Sequence, residues 1–204
     1  MTDQTPIDTI VFDIGNVLVH WDAIAAYEER LGSRAAVQAF FDRIDFAARN
    51  LRGDAGETFA EVSAGIDDPD DAALLAEYPA LYARTIARPI EGTWALMERL
   101  RARGHAIHGI TNWSAETWPV GVETHPRLAR CFGTVVVSGQ ERVIKPDARI
   151  FAILCTRAGV APERCLFVDD SAANVAGARA AGMAAHHFTT PEALEADLVA
   201  RGLL

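Results

Sequence analysis

The chain contains five short apolar runs separated by longer amphipathic segments. Each run is about four to six residues long, the length of a strand that helices cover on both faces of a parallel sheet. Helical stripes between the later runs end at glycines, as Ile150–Ala158 does before Gly159. This alternation predicts an α/β fold with right-handed crossovers, a three-layer doubly wound parallel sheet. The predicted strands are Thr9–Phe12, Ala106–Ile110, Thr134–Val137, Cys165–Val168 and Met183–Phe188.

The segment between the first two predicted strands has a different pattern. Residues 21–88 show helical periodicity and no run typical of a strand, with a turn-like break at Gly53–Gly56. A segment of this length is too long for one crossover helix. We therefore predict an inserted all-helical cap domain, residues 21–88, on a core domain of residues 1–20 and 89–204. The Gly53–Gly56 turn joins two predicted helices and is a candidate for substrate selection.

Composition narrows the class of protein. The 204 residues are 50% hydrophobic, enough to bury a substantial core. A net charge of -9 argues against nucleic acid and against a basic membrane-surface anchor. The three cysteines form no C-x-x-C pair and indicate reduced thiols.

No apolar run is long enough to span a bilayer, and Met1–Ile10 is too polar for a signal peptide, so we predict a cytoplasmic protein. The sequence does not indicate an oligomeric state.

Polar residues stand at the ends of successive predicted strands, where open parallel sheets bind ligands. Each has an ordinary structural explanation by itself, as a turn, a helix cap or a solvated lysine. The ordered set of a carboxylate, a hydroxyl with an amide, a lysine and a carboxylate pair is much rarer by chance. Its members are Asp13, Thr111, Asn112, Lys145, Asp169 and Asp170.

This ordered set resembles the four motifs of the haloacid dehalogenase superfamily, whose members are mostly phosphatases. The resemblance extends from about Asp8 to His187, and the inserted helices are similar to the small helical cap of the family. The first motif, Phe12 to Val17, looks like that of a branch that includes sugar-phosphate phosphatases. The resemblance implies a hydrolase that uses Mg2+ on a small phosphorylated molecule, such as a sugar phosphate.

The chemistry of phosphate transfer assigns a role to each of these positions. A cation must neutralise the ester before an anion attacks it, and Mg2+ prefers hard oxygen ligands. Asp13, Asp170 and the Gly15 carbonyl are the predicted metal ligands. The other oxygen of Asp13 would attack phosphorus and form an aspartyl-phosphate.

The remaining candidates would assist that attack. Thr111 and the backbone N–H of Asn112 would hold the transferring oxygens, and Lys145 would offset the negative charge. Asn174 would steady the second carboxylate or Lys145. Asp169 is expected to support the metal ligands without binding the ion itself.

One position departs from the family pattern. Most phosphatases of the superfamily carry a second Asp two residues after the nucleophile, which protonates the leaving group, and here that residue is Gly15. His20 and Asp22, near the junction with the cap, are candidates for a substitute acid. The same residues are equally consistent with a hinge that only forms hydrogen bonds.

The departure keeps two other functions open. The 2-haloacid dehalogenases of the superfamily also lack the second Asp and attack carbon without a metal. They typically carry serines where this chain has Asp169 and Asp170, so the retained Asp170 favours metal and phosphate. A binding protein that has lost turnover is the third possibility.

Overall fold

The computed structural model describes residues 6–204, so the first five residues of the predicted core domain and of the polar N-terminal stretch lie outside it. Five parallel strands form one sheet in the order β3–β2–β1–β4–β5. Each strand begins and ends within one residue of its predicted limits, which confirms the α/β fold. The strands are β1 Thr9–Phe12, β2 Ala106–Thr111, β3 Val135–Val137, β4 Cys165–Asp169 and β5 Ala184–His187.

Residues 21–88, here called the inserted segment, contain helices and no β-strand. An aromatic cluster holds these helices together, with Tyr27, Phe40, Phe41 and Tyr78 in contact around its centre. After a 3-10 turn at Ala23–Ala26, the helices are α1 Glu28–Leu31, α2 Arg34–Ile44, α3 Phe46–Asp54, α4 Phe59–Ser63, α5 Pro69–Ala76 and α6 Tyr78–Thr85.

Helices cover both faces of the sheet. Alternate side chains of each strand point to opposite faces, so both faces carry apolar side chains that must be buried. Ile10 and Phe12 of β1 pack in one buried cluster, and Val11 packs in the other. Residues of α7 and α12 belong to the first cluster, and residues of α10 and α11 belong to the second. These helices are α7 Glu91–Ala102, α8 Trp118–Thr124, α9 Ser138–Glu141, α10 Ala148–Ala158, α11 Ala172–Ala180 and α12 Pro191–Ala200.

Two adjacent connections join the inserted segment to the sheet. The His20 N–H donates to the Arg88 carbonyl at 2.9 Å, and Val19 forms a β-bridge with Pro89. The division of the chain into a core and a cap domain stays a prediction. Within residues 6–204, no helix combines the length and the apolar composition that crossing a membrane requires.

Candidate active site

The sheet topology brings two distant acidic segments together. Strands β1 and β4 are neighbours, and the Asp13 N–H donates to the Val168 carbonyl at 2.8 Å. Asp13 follows β1 directly, Asp169 ends β4, and Asp170 comes next. One oxygen from each of these three carboxylates lies within 4.8 Å of the others. The predicted acidic cluster therefore exists at the carboxyl edge of the sheet.

Lys145 lies beneath this cluster with a fully buried side chain. Its Nζ donates to Asp13 Oδ1 at 2.8 Å, to Asp169 Oδ2 at 2.7 Å and to the Ile110 carbonyl at 3.2 Å. These three acceptors use all three ammonium protons. The lysine therefore acts on the site through its charge and by fixing the carboxylates.

The Asn112 side chain holds Lys145 in place. Its Oδ1 accepts from the Lys145 N–H at 2.8 Å, and its Nδ2 donates to the Lys145 carbonyl at 3.1 Å. Lys145 does not directly follow β3, since the single turn of α9 lies between them. The two hydrogen bonds from the Asn112 side chain connect the backbone of Lys145 to the residue that follows β2.

Asp169 is fully occupied by hydrogen bonds. Besides Lys145, it accepts from the Ser171 N–H at 2.8 Å and from Asn174 Nδ2 at 3.0 and 3.1 Å. Ser171 caps α11, so the first turn of this helix delivers Asn174 to the carboxylate. Asn174 thus contacts Asp169, not Asp170, of the two neighbouring carboxylates.

The cluster has an excess of negative charge. Burial raises the pKa of Asp13 to about 8, which the Lys145 charge opposes and the Asp169 charge reinforces. Burial also raises the pKa of Asp170, and Asp169 adds to this effect. Three ionised carboxylates beside one ammonium leave two negative charges uncompensated, an arrangement that is costly without a cation.

The donor set fits a hard divalent ion. Carboxylate and carbonyl oxygens are the ligands of Mg2+, and Asp13, Gly15 and Asp170 line one cavity of about 180 Å³. Asp169 has no free hydrogen-bonding capacity to offer an ion. The residues present are thus compatible with a metal held by Asp13, Asp170 and the Gly15 carbonyl.

Only some of the other predicted site residues line this cavity. Asn112 and Asn174 line it, whereas Thr111 is buried at the end of β2, and its hydroxyl has no hydrogen-bond partner within residues 6–204. His20 is exposed in an adjoining groove. A hydrogen bond from Arg34 holds the pKa of Asp22 below its ordinary value. The structure therefore brings neither of the two candidate acids into the cavity.

Residues 7–182 match the family described as haloacid dehalogenase-like hydrolase. The chain belongs to this family. The chain is 24% identical over 187 residues to a sesquiterpene phosphatase, astK, of Aspergillus oryzae, covering 91% of each chain. The protein is thus an enzyme of the hydrolase class, as the four motifs predict.

Solved structures of other members share the fold. HAD family enzyme bt-2542 of Bacteroides thetaiotaomicron superposes with a TM-score of 0.74 at 19% identity, over 91% of this chain and 95% of that chain. The same enzyme, crystallised with magnesium and inorganic phosphate, gives a TM-score of 0.71 at 18% identity, over 90% and 95%. L-2-haloacid dehalogenase of Xanthobacter autotrophicus gives 0.66 at 21% identity, over 95% and 83%.

This haloacid dehalogenase-like hydrolase also has cavity residues that sequence reasoning did not select. Asn50 and Asp54 of α3 contribute polar side chains to the lining, and four largely apolar side chains, here called the apolar wall, line the same cavity. The Gly53–Gly56 turn signalled the location of Asp54 but not its importance. The members of the apolar wall come from separate elements, so no local pattern groups them. They are Trp21, Tyr82, Ile86 and Trp113.

Proposed function

We propose that this chain is a Mg2+-dependent phosphatase that hydrolyses a small phosphomonoester through an aspartyl-phosphate on Asp13. The observation that carries the proposal is the pairing of Asp13 with Asp170 over a buried lysine, with carboxylate oxygens within 4.8 Å. Two relatives support it. One is named a sesquiterpene phosphatase, and a structural neighbour binds magnesium and inorganic phosphate.

In this proposal Asp13 has two functions. One carboxylate oxygen accepts from Lys145 and from the Ile14 N–H at 2.7 Å, which fixes the side chain for in-line attack. The attacking oxygen bonds to phosphorus as the ester oxygen departs with its electron pair. Water then cleaves the new P–O bond, which releases inorganic phosphate and restores the Asp13 carboxylate.

Neighbouring groups stabilise the transferring phosphoryl group. Asp13, Asp170 and the Gly15 carbonyl would hold the ion. Bound there, Mg2+ supplies positive charge to the phosphate oxygens. The Thr111 hydroxyl, which has no hydrogen-bond partner among residues 6–204, and the Asn112 N–H are assigned to those same oxygens. Lys145 keeps Asp13 oriented and lowers the electrostatic cost of bringing two anions together.

The test is phosphate release from p-nitrophenyl phosphate and a panel of alkyl phosphates, with and without Mg2+. We expect activity that requires Mg2+, is abolished in Asp13→Asn and is strongly reduced in Asp170→Asn. Asp67→Asn, an exposed carboxylate of the inserted segment, is the matched control and keeps wild-type activity. Metal binding without turnover on any ester would instead favour a binding protein.

The dehalogenase alternative has one observation in its favour, the glycine at position 15, together with a neighbour of that activity. It predicts chloride release from 2-chloropropionate in the presence of EDTA. We expect no such release, because without a cation two carboxylates would surround the leaving anion. Asp13-dependent chloride release in EDTA would replace the phosphatase proposal.

A further inference from the structure

Gly15 leaves the proposed reaction without a proton donor in the usual place. An alkyl ester departs as a strongly basic alkoxide, so its release is slow unless an acid protonates it. Of the residues that line the cavity, the carboxylates are Asp13, Asp54 and Asp170. Asp13 is the nucleophile and Asp170 a metal ligand in the proposed function. Asp54 is the cavity carboxylate to which the proposed function gives no role.

Contacts with α9 hold the end of α3, and with it Asp54, at the cavity. Asp54 is the last residue of α3, and Ser138 of α9 donates its hydroxyl to the Asp54 carbonyl at 2.6 Å. Two residues further on, Gly56 lies so close to the Gly139 carbonyl that a Cβ there would approach it to 2.9 Å. These contacts tie the end of α3 to the element that precedes Lys145.

The carboxyl group of Asp54 has surroundings that favour its protonated form. Burial raises its pKa to about 7, whereas the Lys145 charge and a hydrogen bond from the Ser114 backbone lower it. The buried phenols of Tyr78 and Tyr82 also lie within electrostatic range. A carboxylate at a helix C-terminus is further disfavoured by the helix dipole. The position of Asp54 is therefore not one where an ionised carboxylate stabilises its own helix through the dipole.

We propose, building on the phosphatase function, that Asp54 of the inserted segment is the general acid and base that Gly15 cannot supply. As Asp13 attacks phosphorus and the P–O ester bond breaks, the Asp54 carboxyl transfers its proton to the departing alkoxide, which leaves as the alcohol. The Asp54 carboxylate then takes a proton from the water that attacks the aspartyl-phosphate. Inorganic phosphate departs, and both aspartates return to their starting states.

Asn50 aligns the proposed acid, since its Nδ2 donates to Asp54 Oδ2 at 3.1 Å. Asn50 lies one turn before Asp54 on α3 and lines the same cavity. It is a positioning residue, because it acts through the carboxyl group. The inserted segment would thus supply both the acid and the group that orients it.

The test compares Asp54→Asn with wild type on two esters, using kcat/KM because it reports the step up to release of the leaving group. p-Nitrophenolate is a good leaving group and needs no proton, whereas n-butoxide requires one. We expect kcat/KM for n-butyl phosphate to fall by roughly 10²–10³, while that for p-nitrophenyl phosphate changes less than about threefold. Asp67→Asn is the control and should change neither value.

Two further readouts separate catalysis from structure. In wild type at saturating Mg2+, kcat/KM for n-butyl phosphate should fall as the pH rises through the pKa of Asp54, about 7. That fall should be absent in Asp54→Asn. The melting temperature of the variant should equal or exceed that of wild type. The smaller substitution Asp54→Ser should show the same selectivity between the esters.

Equal losses on both esters, or a wild-type pH profile retained in Asp54→Asn, would overturn the role of Asp54 and leave the phosphatase proposal standing. Absence of Asp13-dependent phosphate release in wild type would overturn both proposals together.

Discussion

At the scale of single residues, the site depends on one buried ammonium that satisfies two carboxylates. Lys145 is enclosed by Asp13, Asp169 and a carbonyl, and its pKa is raised by both carboxylates despite burial. Removing one partner of a buried ion pair leaves an uncompensated charge, which costs much more than losing an exposed pair.

Asp169→Ala should therefore destabilise the protein by about 3–5 kcal/mol, since it also removes the acceptor of Ser171 and Asn174. Glu195→Ala, which breaks an exposed pair with Arg99, should cost less than about 1 kcal/mol. Urea unfolding at neutral pH measures both values. Similar small losses in the two variants would contradict the structural role assigned to Asp169.

Gly15 is a position where a carboxyl group can be added. A Cβ built there meets nothing within 4 Å, so Gly15→Asp should fold. If protonation of the leaving group is what Asp54→Asn loses, Gly15→Asp in that background should recover about tenfold or more of kcat/KM on n-butyl phosphate. Gly15→Asn is the isosteric control. A folded double variant with no recovery would argue against a missing acid.

At the scale of elements, the inserted segment is attached to the elements around the sheet close to the cavity. The ring of Tyr82 on α6 lies 5.4 Å from that of Trp113, and His125 Nε2 lies 2.6 Å from the Ile86 carbonyl. The Phe59 N–H at the start of α4 donates to Glu116. These contacts attach two residues of the apolar wall, Tyr82 and Ile86, and the start of α4 to the segment that follows β2.

Ser138→Ala tests whether the contact between α9 and the end of α3 positions Asp54. The hydroxyl accepts from the Trp113 N–H at 2.9 Å and donates to the Asp54 carbonyl. Its loss removes the partner of the buried Trp113 N–H and of the part-buried carbonyl, at about 1–3 kcal/mol. Displacement of Asp54 should lower kcat/KM on n-butyl phosphate by roughly tenfold.

The control for that variant is Ser63→Ala, a buried hydroxyl that bonds only within the inserted segment, to the Ala60 carbonyl. It should lose stability without the selective loss on the alkyl ester. Equal kinetic effects in the two serine variants would show that the Ser138 contact does not position Asp54.

At the scale of the whole molecule, we expect stability and metal binding to be linked through the acidic cluster. The folded-state pKa of Asp13 is raised to about 8, so the folded protein binds more protons than the unfolded chain at intermediate pH. Without a cation, this group makes the free energy of unfolding fall as the pH rises from about 4 to 8. A bound divalent ion opposes that loss, because it binds the deprotonated carboxylate.

The increase in melting temperature caused by Mg2+ should therefore be small at pH 5 and larger at pH 8. Differential scanning fluorimetry at matched ionic strength measures it, with Na+ replacing Mg2+ as the reference. Asp13→Asn and Asp170→Asn should remove most of the increase at pH 8. A Mg2+ effect that is independent of pH and of both carboxylates would place the ion elsewhere.

Local pattern was enough to predict the strands, the helical character of residues 21–88 and the chemical types at the strand ends. Strand length, apolar runs and glycine stops are properties of neighbouring residues, so a single sequence displays them. Asp13, Lys145 and Asp170, the central residues of the proposed site, were selected in this way. The four-motif order further predicted the family, which the comparison over residues 7–182 established.

Only the tertiary structure decided which side chains share one cavity. The strand order places β4 beside β1, whereas the packing of α3 against α9 carries Asp54 into a cavity that it shares with Asp13 and Asp170, both distant along the chain. His20 and Asp22, which are close to Asp13 in sequence, remain outside the cavity. Proximity in the chain constrains neighbouring backbone, but contact between distant side chains depends on how whole elements pack, and that packing is a property of the complete fold.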